Sequence, residues 1–197
     1  MKTVFLVFLA AGTLGCVVSS GRPGQGAFGV KATNNSSYPL QIVSISPQVS
    51  EDATAFEGAR VTLKNNGDVP CNAFAVSFII TFSDGETRRA TWQEDHVALG
   101  YTTQIPATDN RIMQNQTYNG DATGMRLSSP ESAAVSGIEA RLDYIEMADG
   151  KRYGDDPDKV GQEFRMSRWG ASSERKRLLA VYKSGGTEAL VNELERK

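Results

Sequence analysis

The most constraining stretch of the chain is Phe74-Ala75-Val76-Ser77-Phe78-Ile79-Ile80-Thr81-Phe82. Phe74, Val76, Phe78, Ile80 and Phe82 recur every second residue, so an extended backbone places all five large side chains on one face. A helix would scatter them around its circumference. Five such side chains cannot be left in water, so this strand must run through the middle of a core. Ala73, Ala75, Ser77, Ile79 and Thr81 form the opposite face.

Period-two patterning extends on both sides. Leu40 to Ile45 (LQIVSI) is a short apolar run that Pro47 closes, which predicts a first strand. Ala59, Val61 and Leu63 alternate with Arg60, Thr62 and Lys64, and Asn65-Asn66-Gly67-Asp68 ends that strand with residues that tolerate a tight turn. After Phe82, Ser83-Asp84-Gly85-Glu86 predicts a hairpin that returns along Thr87 to Gln93, with Ala90 and Trp92 facing inward. Ile138, Ala140, Leu142 and Tyr144 alternate in a second long strand. Its apolar phase then slips to Ile145 and Met147, which predicts a bulge. Asp149-Gly150 turns the chain toward Lys151-Arg152-Tyr153. Tyr101 to Ile105 and Ile112 to Tyr118 are weaker strand candidates. About seven strands with turn residues between them predict a mainly β, antiparallel sandwich over residues 38–154.

The segment Val61-Thr62-Leu63-Lys64-Asn65-Asn66-Gly67 with the apolar run at 73–82 resembles the second and third strands of immunoglobulin-like or fibronectin III-like modules of bacterial envelope proteins. The resemblance spans residues 38–153. It implies a fold and an extracytoplasmic address, and carries over no functional residue. The Cys…Trp…Cys core of true immunoglobulin domains is absent.

The first twenty residues read as an export signal. Lys2 precedes the apolar Val4–Ala11 stretch, which is too short to span a bilayer, and small residues follow. Two cleavage readings stand. Gly12-Thr13-Leu14-Gly15-Cys16 resembles a permissive lipobox, with a lipoprotein signal over 1–15 and Cys16 as the acylated residue; ordinary cleavage near Val18-Ser19-Ser20 would discard Cys16. Residues 21–37 begin Gly-rich and read as a flexible linker. Either cleavage deprives Cys71 of Cys16 as a disulfide partner. Cys71 beside Pro70 then reads as an inert core thiol.

Residues 155–197 read as a basic helical tail. Ser172 or Ser173 caps a helix from Glu174 to about Lys183, Gly185-Gly186 stops it, and Thr187 caps a second helix bearing Leu190, Val191 and Leu194. Arg165, Arg168, Arg175, Lys176, Arg177 and Lys183 make a solvated basic face, or one that meets anionic lipid.

Chemistry is sparsely signalled. His96 is the single histidine of the sequence, which removes mechanisms that need a histidine pair, and it reads as a surface or strand-edge residue. Asp155, Asp156 and Asp158 lack the register of a calcium loop. Asn34, Asn35 and Asn115 stand in Asn-x-Ser/Thr sequons. No phosphate-binding glycine loop or Gly-x-Ser-x-Gly elbow occurs. A net charge of −2 argues against a nucleic-acid partner. No cofactor, metal site or catalytic residue is indicated. The reading is an exported, non-enzymatic binding, adhesion or assembly module, periplasmic, extracellular or lipid-anchored, with a protein or glycan ligand. The Gly100–Thr117 loop, with Tyr101, Arg111 and Tyr118, is its candidate contact surface. A hydrolase using carboxylates assembled by the fold, or a structural spacer, are the rival readings.

Overall fold

A computed structural model describes residues 28–97 and 110–196 of the chain. Nine strands are seen among them: β1 Gly29–Thr33, β2 Leu40–Val49, β3 Ala55–Asn65, β4 Cys71–Phe82, β5 Thr87–Asp95, β6 Thr117–Asp121, β7 Leu127–Ser128, β8 Val135–Met147 and β9 Arg152–Tyr153. Helix α1, Val160–Glu195, follows them. The protein is mainly β, with two sheets and a C-terminal helix. One sheet has the order β1-β8-β4-β5, with β9 also on β8; the other has β2-β3-β6, with β7 on β3.

The alternation in β4 does what its spacing demands. Phe74, Val76, Phe78, Ile80 and Phe82 are all essentially inaccessible. They meet Ile42, Phe56, Val61 and Leu63 of the second sheet in one continuous core. Phe56 and Phe78 pack with ring centroids 5.4 Å apart, and the Phe74 and Trp92 rings meet edge to face at 5.0 Å. Asn65 fixes the corner where the chain changes sheets. Its buried amide donates to the Val69 and Ile112 carbonyls, and its side-chain oxygen accepts from Gly67 N–H. The β4–β5 and β8–β9 hairpins turn where the Asp-Gly pairs stand.

Several expectations are corrected. The stretch expected as a linker contains β1, which pairs with β8 in parallel, so the sandwich is not purely antiparallel. Val30 and Ala32 pack against the core from this added edge, which is why Gly29–Thr33 forms a strand. Pro47 does not end the first strand; it lies within β2 opposite Ala59. β2 is an edge strand, where a missing N–H costs no ladder bond. The bulge in β8 falls at Asp143, between the pairs Ala75↔Tyr144 and Val76↔Leu142. The phase therefore slips one residue earlier than the sequence suggests, and Tyr144 leaves the core for the outer face. Of the weaker candidates, Ile112 makes only an isolated bridge to Cys71, and the strand begins at Thr117; Tyr101–Ile105 lies outside the described residues.

The helix is also longer than expected. It starts at Val160, so Ser172 and Ser173 lie inside it and cap nothing. Its start is set by tertiary packing. Val160, Gly161 and Phe164 are buried on Ala73, Ala75 and Tyr144, the outer face of β4 and β8. Gly161 lies so close to the Tyr144 ring that a Cβ there would sit 2.5 Å from it. Gly186 breaks the helix as the sequence predicts, at φ 67° and ψ −160°. An ion pair joins Arg177 to Glu193 across this break. Sixteen residues of straight helix would span about 24 Å, so the segment after Gly186 folds back on the one before it.

Candidate functional site

Three polar assemblies stand out, and they do different things. The first lies on the outer face of the β4–β8 sheet. Arg168 of α1 reaches down to Asp95 with two bonds of 2.7 and 2.8 Å, and to Glu146 at 2.5 Å. Tyr144 O–H donates to Glu146 at 2.8 Å. Burial pushes the Glu146 carboxyl upward, but the bonds from Arg168 and Tyr144 outweigh it and hold the group below its ordinary value. Arg168 was expected on a solvated face; here it is the clasp that holds the helix. Beside it, Ser77 donates to Asp143, Arg89 bridges Asp143 and Asp158 at 2.7 and 2.8 Å, and Thr91 O–H donates to Asp158 at 2.7 Å. Asp156 accepts from Gly161 N–H at 3.1 Å and opens the helix. Two of the three aspartates considered for calcium thus bind protein donors. No group of three or more His, Cys, Asp or Glu side chains among the described residues is arranged to hold a metal ion.

The second assembly surrounds His96, which follows β5. The expected surface or strand-edge histidine is buried, its side chain 2% exposed. It packs on the Phe74 and Tyr118 rings at centroid distances of 5.7 and 5.2 Å. Nε2 lies 3.6 Å from Glu94 Oε2 and makes no hydrogen bond among the described residues. Tyr118 O–H donates to Glu94 at 2.5 Å, which turns Tyr118 inward rather than onto a contact surface. Burial lowers the His96 pKa, with Asp95 acting against it, and burial raises that of Glu94. Burial thus favours the uncharged imidazole. Residues 100–109 of the loop proposed as a contact surface lie outside the described residues.

The third assembly is an open cleft at the end of the sandwich. One part, about 420 Å³, is lined by Thr33, Asn34, Asn35, Arg141, Asp143 and Asp155, among others. An adjoining part of about 500 Å³ is lined by Ser37, Gln41, Asn66 and Tyr153, and the two share Ser36 and Tyr38. The wall is the turn between β1 and β2, and its hydrogen bonds fix it in advance. Asn34 exchanges two bonds of 2.8 Å with the Ile42 backbone. Asn35 accepts from Ser37 N–H and O–H, and Gln41 donates to the carbonyls of Asn35 and Tyr38. Tyr38 and Tyr153 stand with ring centroids 6.0 Å apart. Arg141 Nε lies 2.9 Å from Asp143 Oδ1 yet off the hydrogen-bond direction, so that donor has no aligned partner among the described residues.

Sequence reasoning missed this cleft. In the sequence Asn34 and Asn35 stand out only as sequons, and Tyr153 only as the end of a hairpin. The available signal was the polar cluster Asn34-Asn35-Ser36-Ser37-Tyr38 placed just before a strand. Cys71 is a buried free thiol as expected, and burial pushes its pKa up to about 12. Cys16 lies outside the described residues.

No protein-family model and no curated protein matches this chain. Among solved structures, a hypothetical protein of Peptoclostridium difficile 630 is similar at 10% identity, covering 66% of this chain and 93% of that one with a TM-score of 0.38. A structure described as the ApaA protein of Bordetella pertussis is similar at 11% identity, covering 58% of this chain and 84% of that one with a TM-score of 0.34. Likeness of this degree carries no argument about fold identity or function.

Proposed function

We propose that the chain is an exported envelope module of immunoglobulin or fibronectin III-like type that binds a hydroxyl-rich ligand, a glycan, in the Tyr38–Tyr153 cleft without catalysis. The strand order supports the module type. β2-β3-β6 follows strands A-B-E of such sandwiches, and β5-β4-β8-β9 follows C′-C-F-G, with β1 pairing in parallel with the first part of β8 and β9 with its last part. The Lys2–Ala11 signal pattern supports export, and Cys16 is the residue that would carry a lipid.

The observation that carries the ligand class is the preformed polar cleft. Its lining is mostly amide, hydroxyl and charged side chains, with two tyrosine rings as the aromatic surface. Tight protein interfaces centre on a desolvated, largely apolar patch, whereas the apolar lining here is limited to Pro39, Leu142 and the two tyrosine rings. A sugar offers many hydroxyls to such donors and acceptors, and its C–H faces suit a tyrosine ring. The turn is already hydrogen-bonded in place, so little ordering is needed on binding. Hydrolysis of a glycosidic bond ordinarily uses two carboxyls free to act on one substrate. Asp143 is instead engaged by Ser77, Arg89 and Arg141.

Isothermal titration of the chain from Gly21 onward against a panel of soluble envelope oligosaccharides tests the reading. At least one should bind saturably, and Tyr153→Ala and Arg141→Ala should each weaken it about tenfold while still unfolding cooperatively. Silence across the panel, or binding indifferent to both substitutions, would overturn the assignment.

A further inference from the structure

Helix α1 leaves the sheet after Arg168; the segment after Gly186 folds back on the side of Glu174 and Arg177, and the side that carries Trp169 stays exposed. Trp169 is 75% exposed, the most exposed large apolar side chain among the described residues, and Leu179 is 48% exposed. Arg165, Trp169, Ser172, Lys176, Leu179 and Lys183 recur at alternating intervals of four and three, so they form one stripe along the helix. The docking residues Gly161, Phe164 and Arg168 define the face turned to the sheet, and the stripe runs beside it toward solvent.

Charge is sorted around this helix. Glu174 lies nine residues from Arg165, half a circumference away at the helical repeat, and Glu163 lies on that same far side. The cations that serve the fold are Arg168, bound to Asp95 and Glu146, and Arg177, bound to Glu174 and Glu193. Arg165, Lys176 and Lys183 are in none of the ion pairs seen among the described residues, and all three are exposed. The stripe is therefore cationic, interrupted only by an indole, a hydroxyl and a leucine.

We infer that this stripe of α1 docks on an anionic lipid surface, with Trp169 and Leu179 entering the headgroup region and Arg165, Lys176 and Lys183 pairing with lipid phosphates. Trp is the side chain best suited to a boundary that is apolar on one side and wet on the other, and Lys and Arg can bury their stems while keeping their charge at the surface. No described helix is long and apolar enough to cross a membrane, so the helix lies on the surface. The inference rests on the helix alone and is independent of the cleft.

The test uses the chain from Gly21 onward, which contains every described element and lacks Cys16. It is mixed with vesicles of phosphatidylcholine, and with vesicles of phosphatidylcholine and phosphatidylglycerol in equal parts. Sedimentation measures binding, and tryptophan fluorescence reports the environment of Trp169, because Trp92 is already in the core. The expected result is association with the anionic vesicles only, a blue-shifted emission, and release by high salt. Lys176→Glu with Lys183→Glu should weaken association at least tenfold, since each cation near such a surface is worth about fivefold. Trp169→Ala should abolish the blue shift. Both changes lie on exposed positions, so melting should be unaltered. Equal binding to both vesicle types, no binding to either, or a charge-reversed variant that binds like the parent would overturn the inference. An acidic protein partner would give the second of these outcomes.

Discussion

Replacing Arg168 by Met removes the guanidinium, together with its place 6.0 Å from the Phe164 ring centroid, and keeps most of the aliphatic stem. Two carboxylates then lose their cation in a poorly hydrated place. The Asp95 and Glu146 side chains are 8% and 7% exposed, and Arg168 itself is 17% exposed. Breaking a buried pair from one side costs about 3–5 kcal/mol, because the other charge stays buried and unpaired. The residual exposure and the ability of the helix to lift away argue for the lower end, about 3 kcal/mol. With a urea dependence of about 2 kcal/mol per molar, the midpoint should fall by about 1.5 M.

The pH dependence makes the test specific. Glu146 is held below its ordinary value of 4.5 in the folded protein, so its contribution is present above that value and is lost as pH falls through the folded pKa. In the variant, burial is opposed only by Tyr144 O–H and the more distant Arg152, 3.7 Å away, and the deficit should be largest at neutral pH and shrink below pH about 5. Glu146→Gln added to Arg168→Met should recover part of the loss at neutral pH. Urea unfolding followed by circular dichroism measures all of this. A deficit under about 1 kcal/mol, or one constant across pH, would show that water screens the clasp and that Phe164 alone docks the helix.

Phe78→Asp should abolish cooperative folding, because an unpaired charge would replace a fully buried ring at the centre of β4; a wild-type melting curve would refute the register. Below pH 6.5, the ordinary imidazole value, the unfolded chain takes up a proton that buried His96 resists, so stability should fall as pH drops. Glu94, whose pKa is raised, acts in the opposite sense at lower pH; melting from about pH 8 to 5 should show the decline in the parent and a flatter profile in His96→Gln. If Cys16 is acylated, mass spectrometry of the processed protein should find a lipid-bearing N-terminal cysteine, and Cys16→Ser should release the protein to the soluble fraction; an unmodified N-terminus near Gly21 would show ordinary export.

The core was legible because its signal is local. Strict alternation in β3, in β4 and in β8 as far as Leu142, with Asp-Gly turns after β4 and β8, dictates which side chains face inward whatever the partner strand is. What escaped depends on long-range pairing. β1 is short and carries only Val30 and Ala32 as inward residues, too few for a period to register; its order comes from lying beside β8, more than a hundred residues away. The helix start was missed because Val160 and Phe164 need Ala73, Ala75 and Tyr144 beneath them, and small residues on the outer face of β4 look solvent-facing until something covers them. His96 was misplaced for a related reason. Its acidic neighbours suggest water, whereas the rings that enclose it, Phe74 and Tyr118, lie far away in sequence.

The bulge at Asp143 joins the parts of the molecule that sequence reading kept separate. The extra residue shifts the phase of β8, so Ile145 and Met147 stay in the core while Tyr144 turns out to receive Phe164. Its carboxylate binds Ser77 and Arg89 on one side and lies beside Arg141 of the cleft on the other. Its carbonyl accepts from Asp156 N–H in the loop that starts the helix. Gly154 passes so near that carbonyl, at φ 98°, that a larger residue would collide with it. A ligand that drew Arg141 away from Asp143 would therefore act on the same residue that anchors the helix loop. Cleft and helix thus share one joint, and a change at Asp143 should disturb the binding surface and the helix together, whereas changes at Tyr153 or Trp169 should each disturb one alone.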